Sequence, residues 1–302
     1  MTQNRIVPTP APAQSFSSLT EAMRFVKYHA LGNDYLVIPS TAPDFDLSRE
    51  QIQRICHRNY GPGSDGILLG PLPSEACDYR LHIFNPDGSE AEKSGNGLRI
   101  FARFLWDEGL VQGKPFTVET PGGTVTCQVG AGGRLVTVGM GKVSFNGSQI
   151  PVRGEAGEVL RARMKIADRE FEYCAATVGN PHCIVLCDDP TPELARRYGP
   201  LIETEARFPN RTNVQFMHVL GRGDIRIEIW ERGAGYTLAS GSSSTAAAAT
   251  AYKLGLCNAD ITVHMPGGQL EIRISPDFSA SMRGTVTRIC SGNIDREMFE
   301  GR

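Results

Sequence analysis

The sequence lacks the signatures of a metal site, a membrane span and a nucleic-acid surface. Its eight cysteines include no CxxC pair and no cysteine and histidine cluster of zinc-finger spacing, so we expect reduced thiols rather than metal ligands or a disulfide framework. No segment approaches the roughly 18 uncharged apolar residues of a membrane helix. A net charge of −2 without runs of like charge argues against a nucleic-acid partner.

Residues 1–22 also lack the apolar core of a secretion signal and are rich in proline, serine, threonine and alanine. We predict a disordered tail there and a cytoplasmic protein. The remaining chain has the composition of an ordinary globular protein, since 40% of all 302 residues are hydrophobic.

The sequence contains a long internal duplication. Four segments recur in the same order: Leu31–Asp34 with Val178–Pro181, Asp78–Phe84 with Asp224–Trp230, Ser94–Gly97 with Ser240–Ser243, and Thr117–Gly123 with Thr262–Gly268. The offset between partners stays between 145 and 147 residues. This regularity predicts two similar units that present equivalent loops to each other across a pseudo-twofold axis.

Each unit has a serine loop between a predicted strand and a predicted helix. Polar and apolar residues alternate before the loop, which is typical of half-buried strands, and helical spacing follows it up to Gly109 or Gly255. Ser94 and Ser240 would be the N-caps of these helices. A helix start also offers free N–H groups to an anion, and two equivalent starts favour a carboxylate site over simple capping.

Six motifs follow one another from Met23 onward: FVKYHALGNDYLVI (25–38), NYGPGSDG (59–66), FNPDGSE (84–90), GNPH (179–182), RTNV (211–214) and ERGAG (231–235). In this order and spacing they resemble the motifs of the diaminopimelate epimerase family. The resemblance implies an α/β (α+β) protein of two pseudo-symmetric units. Each unit would be a mainly antiparallel sheet curled around a central helix, with the site in the cleft between them. The implied domains are 23–141 with 285–302, and 142–284.

The resemblance also implies a site for a small amino-acid substrate, without a cofactor or metal, and leaves a homodimer open. Substrate-binding residues would be Asn33, Asn85, Gly95, Asn96, Asn180, Asn213, Arg232, Gly241 and Ser242. The planar guanidinium of Arg232 suits the far carboxylate of a dicarboxylic substrate. If diaminopimelate is that substrate, the reaction supplies lysine and cell-wall precursors.

The pattern departs from the family where the chemistry occurs. The family has a cysteine at each helix start, one as base and one as acid, whereas this chain has Ser94 and Ser240. A serine hydroxyl is a weak base unless a neighbouring group activates it. The candidates for that group are Lys93, His182, Glu231 and Tyr236. His182 and Glu231 are predicted to be catalytic together with the serines.

Three explanations for the serines remain open at this point. The chain is a natural variant that still epimerises an amino acid, a non-catalytic relative that binds or senses one, or an epimerase in which both cysteines were changed by engineering. Hydroxyls at both positions favour retained proton chemistry, because alanine or glycine would serve in a binding protein.

Overall fold

A computed structural model describes residues 23–40 and 46–300, so the predicted N-terminal tail lies outside the described residues. The first half contains β1 (Met23–Ala30), β2 (Asn33–Ile38), α1 (Arg49–Cys56), β3 (Ile67–Leu72), β4 (Tyr79–Phe84), α2 (Gly95–Asp107), β5 (Phe116–Thr120), β6 (Gly123–Val129) and β7 (Leu135–Lys142). The predicted strand before the first serine loop is β4, and the predicted helix after it is α2.

The second half repeats this order. It contains β8 (Ala162–Ile166), β9 (Arg169–Thr177), β10 (Pro181–Leu186), α3 (Pro192–Glu203), β11 (Asn213–Gly221), β12 (Asp224–Glu231), β13 (Gly235–Thr237), α4 (Gly241–Lys253), β14 (Asp260–Met265), β15 (Gly268–Ile274) and β16 (Ser279–Thr285). A last strand, β17 (Thr287–Ile294), precedes a short 3₁₀ helix, Arg296–Phe299.

Strand pairing confirms the predicted pair of similar units. In the first half the pairs β2–β3 and β4–β5 are parallel, and the pair β3–β4 is antiparallel. In the second half the pairs β10–β11 and β12–β14 are likewise parallel, and the pair β11–β12 is antiparallel. Antiparallel pairs of β1 with β17 and of β9 with β8 are also equivalent. The antiparallel pair β7–β16 joins the halves. The residue bounds given above for the two domains stay a prediction.

The two serine-loop helices are the central helices around which the sheets curl. In α4 the side chains of Ala246, Ala247, Ala248 and Ala249 have no exposed surface. A helix that is apolar on every side is a buried helix, and alanine lets the surrounding strands approach closely. Helix α2 fills the equivalent space with larger residues such as Phe101 and Phe104. Both helices belong to one continuous hydrophobic core.

Local sequence explains where these helices begin and end. Ser94 and Ser240 are extended N-cap residues, and their hydroxyl oxygens accept from the N–H groups of Gly97 and Ser243. Gly109 and Gly255 follow the last turns with φ of 72° and 70°, the left-handed conformation that favours glycine. The predicted starts and stops are thereby confirmed.

The starts of α2 and α4 meet through two glycines. A Cβ atom on Gly241 would lie 2.8 Å from Sδ of Met282 and 3.8 Å from Cα of Gly95. A Cβ atom on Gly95 would lie 2.8 Å from Cε of the same methionine. A side chain at either position would therefore have to displace the end of the Met282 side chain.

We expect Gly241→Ala to lower the free energy of unfolding by about 1 to 3 kcal/mol, because the new methyl group overpacks against Met282. Urea denaturation measures the change. Gly113→Ala is the matched control, since its Cβ would meet no atom closer than 3.9 Å and its effect should stay within about 0.5 kcal/mol. Equal stability of Gly241→Ala and wild type would show that the helix starts have room to separate.

Candidate functional site

The two opposed helix starts leave four backbone donors without acceptors. The hydroxyl oxygens of Ser94 and Ser240 accept from the third backbone N–H of α2 and of α4. Their carbonyl oxygens accept from the fourth backbone N–H of the same helices. Among the residues that the structure describes, the N–H groups of Gly95, Asn96, Gly241 and Ser242 have no acceptor. Four converging donors at two positive helix ends form a site for a carboxylate.

Ser240 lies beside a carboxylate. The hydroxyl of Thr237 lies 3.3 Å from Oε2 of Glu231, and the hydroxyls of Thr237 and Ser240 both act on this carboxyl to lower its pKa. Burial raises the pKa of Glu231 above the usual glutamate value, and these two hydrogen bonds lower it by a smaller amount. Glu231 is therefore a better proton acceptor than an exposed glutamate, and it is close enough to Ser240 for the serine hydroxyl to influence its pKa.

Ser94 instead lies beside a phenol. Its Oγ is 3.3 Å from the hydroxyl oxygen of Tyr35, which is 7% exposed. Burial raises the pKa of Tyr35, so its proton is retained and needs an acceptor. Either hydroxyl can donate in this hydrogen bond, and the Ser94 oxygen also accepts from Gly97 N–H at 3.0 Å. Ser94 therefore has a phenol that keeps its proton as its neighbour.

The partners of the two serines are not equivalent under the duplication. At the offsets of the aligned segments, Tyr35 matches His182 and Glu231 matches Asn85. The carboxylate beside Ser240 is thus an amide in the other unit. The symmetric pair of serines therefore has unlike neighbours, a carboxyl near Ser240 and a phenol that keeps its proton beside Ser94.

His182 is completely buried on β10. Its Nε2 lies 3.0 Å from Oδ1 of Asn180, and burial lowers the pKa of His182 to about 3, so the imidazole is neutral. The side chain of Gln215 offsets only part of that lowering. This environment favours a role for His182 in orienting Asn180 over direct proton transfer; its predicted catalytic role stays a prediction.

Asn213 and Arg232 are held together. The buried amide of Asn213 accepts from the Arg232 backbone N–H at 3.0 Å and donates to the Pro181 carbonyl at 2.9 Å. The exposed Arg232 guanidinium donates to the Asn210 carbonyl at 2.9 Å. Arg232 is thus fixed at its backbone while its guanidinium is exposed, which suits binding of the far end of a ligand.

Glu203 fixes the next residue of the same loop. This buried carboxylate, at the end of α3, accepts from Gly233 N–H at 2.9 Å and from Trp230 Nε1 at 2.7 Å, and it pairs with Arg211. Charged acceptors of backbone N–H groups are strong anchors. Glu203 thereby sets the position of the loop that carries Arg232.

Asn33 and Asn96 are joined directly, with Asn96 Nδ2 donating to Asn33 Oδ1 at 3.1 Å. The half-buried Asn85 lies in a turn where Nδ2 donates to Ser89 Oγ at 3.0 Å. Asn33, Asn96, Asn180 and Asn213 each hydrogen-bond a residue of their own unit. The structure therefore fixes each amide before a ligand arrives.

Lys93 and Tyr236, named as possible activators, point elsewhere. The Lys93 ammonium lies 3.5 Å from the Met140 carbonyl, and the Tyr236 hydroxyl donates to Glu228 at 2.7 Å. Among the described residues, neither contacts a serine hydroxyl. Of the four candidates, Glu231 is the one whose pKa a site serine influences.

Tyr35, Arg99 and Glu203 were not predicted from the sequence. Strand alternation could have found Tyr35, because residues two apart on β2 share a face and Asn33 was already assigned to the site. The buried Arg99 donates to Asn96 at 2.8 Å, one turn further along α2. Glu203 is distant in sequence from the loop that it anchors, and no local pattern marks it.

Residues 23–40 and 46–300 contain no group of three or more histidine, cysteine, aspartate and glutamate side chains arranged to hold a metal ion. No helix within the same ranges has the length and apolar character to span a bilayer.

Comparison with known proteins gives one consistent family. A family model described as diaminopimelate epimerase matches residues 25–146 and 174–289. Diaminopimelate epimerase 2 of a Nostoc species is 59% identical over 277 residues, which cover 92% of this chain and 97% of that protein. Diaminopimelate epimerase of Desulfitobacterium hafniense is 39% identical over 279 residues, covering 89% and 97%.

Solved structures share the fold at low identity. A PhzF-family phenazine biosynthesis protein of Bacillus anthracis has a TM-score of 0.67 at 16% identity, covering 91% of this chain and all of that one. A hydroxyproline epimerase of Agrobacterium vitis, solved with trans-4-hydroxy-L-proline, has a TM-score of 0.63 at 16% identity, covering 91% and 93%. Two central helices that face one cleft are thus set in a fold shared with known epimerases.

Proposed function

The chain belongs to the diaminopimelate epimerase family, and from that premise we propose that it inverts the α-carbon of diaminopimelate, or of a closely related amino acid, without a cofactor. The observation that carries the proposal is the unequal pairing of two opposed hydroxyls, Ser240 with Glu231 and Ser94 with Tyr35. Inversion needs an acceptor on one face of the carbon and a donor on the other. The cleft supplies one of each.

Substrate binding would begin at the helix starts. The α-carboxylate would accept from the free N–H groups of Gly95, Asn96, Gly241 and Ser242, which places the α-carbon between the two serines. The far carboxylate would meet the exposed guanidinium of Arg232. Negative charge that develops on the α-carboxylate during proton removal would face the same four donors and both helix ends.

Proton transfer would then run from the Ser240 side to the Ser94 side. The Ser240 hydroxyl gives its proton to Glu231 as its oxygen takes the α-proton, and the electron pair of the broken C–H bond moves onto the carboxylate. The pair returns to form a new C–H bond with the proton of Ser94 on the opposite face. Tyr35 would donate a hydrogen bond to the Ser94 oxygen while water returns a proton to Ser94, and Glu231 would release its proton to water, which restores the starting state.

Glu231 is necessary in this scheme because a helix end alone contributes too little. The dipole is worth about 0.3 to 2 kcal/mol, whereas a tenfold change in the acid dissociation constant of a base needs about 1.4 kcal/mol. A neighbouring carboxylate that accepts the hydroxyl proton avoids a free serinate. A cytoplasmic location and a homodimer stay predictions.

Exchange of the α-proton in D₂O tests the activity. We expect LL- and meso-diaminopimelate to lose their α-proton NMR signal with inversion of configuration, because proton removal and return occur on opposite faces. Ser94→Ala and Ser240→Ala should each lower the inversion rate by about 10² or more.

Binding of diaminopimelate without any exchange would contradict the proposed reaction and indicate an amino-acid-binding protein. The double variant Ser94→Cys and Ser240→Cys gives the comparison, since thiols at helix starts have lowered pKa values and are better bases than serine. If the double cysteine variant exchanges the α-proton and wild type does not, the serines have abolished turnover.

Glu231→Gln tests the assigned acceptor. We expect the exchange rate of this variant to be lower than that of wild type by about 10² or more. In wild type the exchange rate should rise with pH through the raised pKa of Glu231, because only the carboxylate accepts a proton. The free energy of unfolding should change in the opposite direction to the exchange rate. Because burial favours the protonated form of Glu231, wild type loses stability as pH rises through that pKa, and Glu231→Gln does not.

Glu228→Gln is the matched control for this experiment. Glu228 is a buried carboxyl on the same strand, burial also raises its pKa, and its partner is Tyr236 rather than a serine. We expect its exchange rate to equal that of wild type. A wild-type rate for Glu231→Gln would remove Glu231 from the reaction.

Arg232→Ala tests recognition of the far carboxylate. We expect the affinity for diaminopimelate to fall roughly 10-fold or more, because a charged hydrogen bond is lost, while the affinity for a neutral amino acid changes little. Isothermal titration calorimetry measures both. Arg273→Ala removes an exposed positive charge from the same half and should change neither. Equal losses for the two ligands would exclude the assigned role.

A further inference from the structure

Arg99 is a buried cation without a counter-ion. Its side chain has no exposed surface, and among the described residues no carboxylate contacts it. The guanidinium donates to Asn96 Oδ1 at 2.8 Å, lies 3.0 Å from Sδ of Met282, and leaves Nε without an acceptor. Burial lowers the pKa of Arg99 to about 9, so the group is still charged at neutral pH.

A chain of hydrogen bonds connects Arg99 to the surface. Asn96 Oδ1 accepts from Arg99, Asn96 Nδ2 donates to Asn33 Oδ1 at 3.1 Å, and Asn33 Nδ2 donates to Asp65 Oδ2 at 3.0 Å. Asp65 also accepts from Arg58 at 2.7 Å.

The two ends of this chain fix the direction of every bond within it. A guanidinium only donates, so Asn96 must turn its oxygen towards Arg99. A carboxylate only accepts, so Asn33 must turn its nitrogen towards Asp65. The bond between the two asparagines is then determined as well. Each amide keeps a second N–H with no acceptor among the described residues.

We infer that Arg99 and Asp65 are positioning residues which hold the amides of Asn96 and Asn33 with their N–H groups available to a substrate carboxylate. This inference rests on the proposed function for the identity of the ligand and adds two residues that do not touch it. The substrate anion is the missing counter-ion of Arg99. A buried cation without a partner is costly, and an anion at the start of α2 reduces that cost.

The arrangement belongs to one unit only. At the offset of 146 residues, Arg99 matches Thr245 and Asn96 matches Ser242. Thr245 returns its hydroxyl to the Gly241 carbonyl at 2.8 Å, so α4 has no equivalent buried charge. The carboxylate is therefore held mainly by the Ser94 side of the cleft, where the proposed proton donor lies.

Asp65→Ala gives a test in which simple electrostatics and the inference predict opposite signs. Removing a negative charge should strengthen anion binding by Coulomb attraction alone. The hydrogen-bond chain predicts weaker binding, by about 10-fold, because Asn33 is then free to turn its oxygen to the ligand. Calorimetry with pimelate as the probe measures this without any epimerisation, since pimelate has both carboxylates and no α-amino group.

Glu92→Ala is the matched control, because it removes the same charge two residues before Ser94 from an exposed side chain outside the chain of hydrogen bonds. We expect unchanged or slightly tighter pimelate binding. Asp65→Ala with wild-type or tighter affinity would overturn the inference. Wild-type protein that binds neither pimelate nor diaminopimelate would overturn it too.

Arg99→Met separates positioning from a structural role. A buried ion replaced by an apolar side chain of similar length is often neutral or stabilising, so we expect a Tm equal to or above that of wild type together with at least 10-fold weaker pimelate binding. Arg99→Lys, which keeps a donor and the charge, should recover part of the affinity. Undiminished binding by Arg99→Met would contradict the assignment.

Side-chain NMR of the ligand-free protein examines the chain itself. The NH₂ signals of Asn33 and Asn96 should be protected from solvent exchange in wild type and lose protection in Asp65→Ala. If the protein shows no α-proton exchange while its pimelate affinity changes in these variants as expected, that result would refute the proposed function and support the positioning role. Unprotected signals in wild type would refute the positioning role whatever the activity.

Discussion

The fold depends on bringing two like helix ends together. The N-termini of α2 and α4 both carry partial positive charge, and they approach so closely that a Cβ on Gly241 would lie 3.8 Å from Cα of Gly95. Such an arrangement repels itself unless an anion lies between the ends. The strand pair β7–β16, which joins the two halves, and the continuous core around both helices hold the repelling ends in place. The site is thus maintained by the remainder of the fold rather than by its own contacts.

Much of this architecture could be predicted from the sequence because it follows from local rules. A serine after an alternating strand and a glycine after a helical run define the ends of α2 and α4, and the constant offset predicts the second copy. The contacts that distinguish the two copies could not be predicted in this way. Tyr35 meets Ser94 and Glu203 meets Trp230 only through tertiary packing, which no periodicity in the sequence describes.

The duplication has separated into two chemically different halves. Equivalent positions hold Tyr35 and His182, Asn85 and Glu231, and Arg99 and Thr245. The backbone kept its symmetry, since strand pairing and both helix caps are the same, while the side chains next to the serines diverged. A pseudo-symmetric cleft thereby acquires a direction, with an acceptor beside one hydroxyl and a donor beside the other.

The pairing of β17 with β1 has a consequence for synthesis of the chain. Strand β1 precedes all the other described strands in the chain and β17 follows them, so the pairing of β1 cannot be completed until β17 has been synthesised. All strands of the second half, β8 to β16, are made before β17. The strands of the second half can therefore pair on the nascent chain while the edge at β1 stays open, and loss of β17 would leave that edge exposed to other chains.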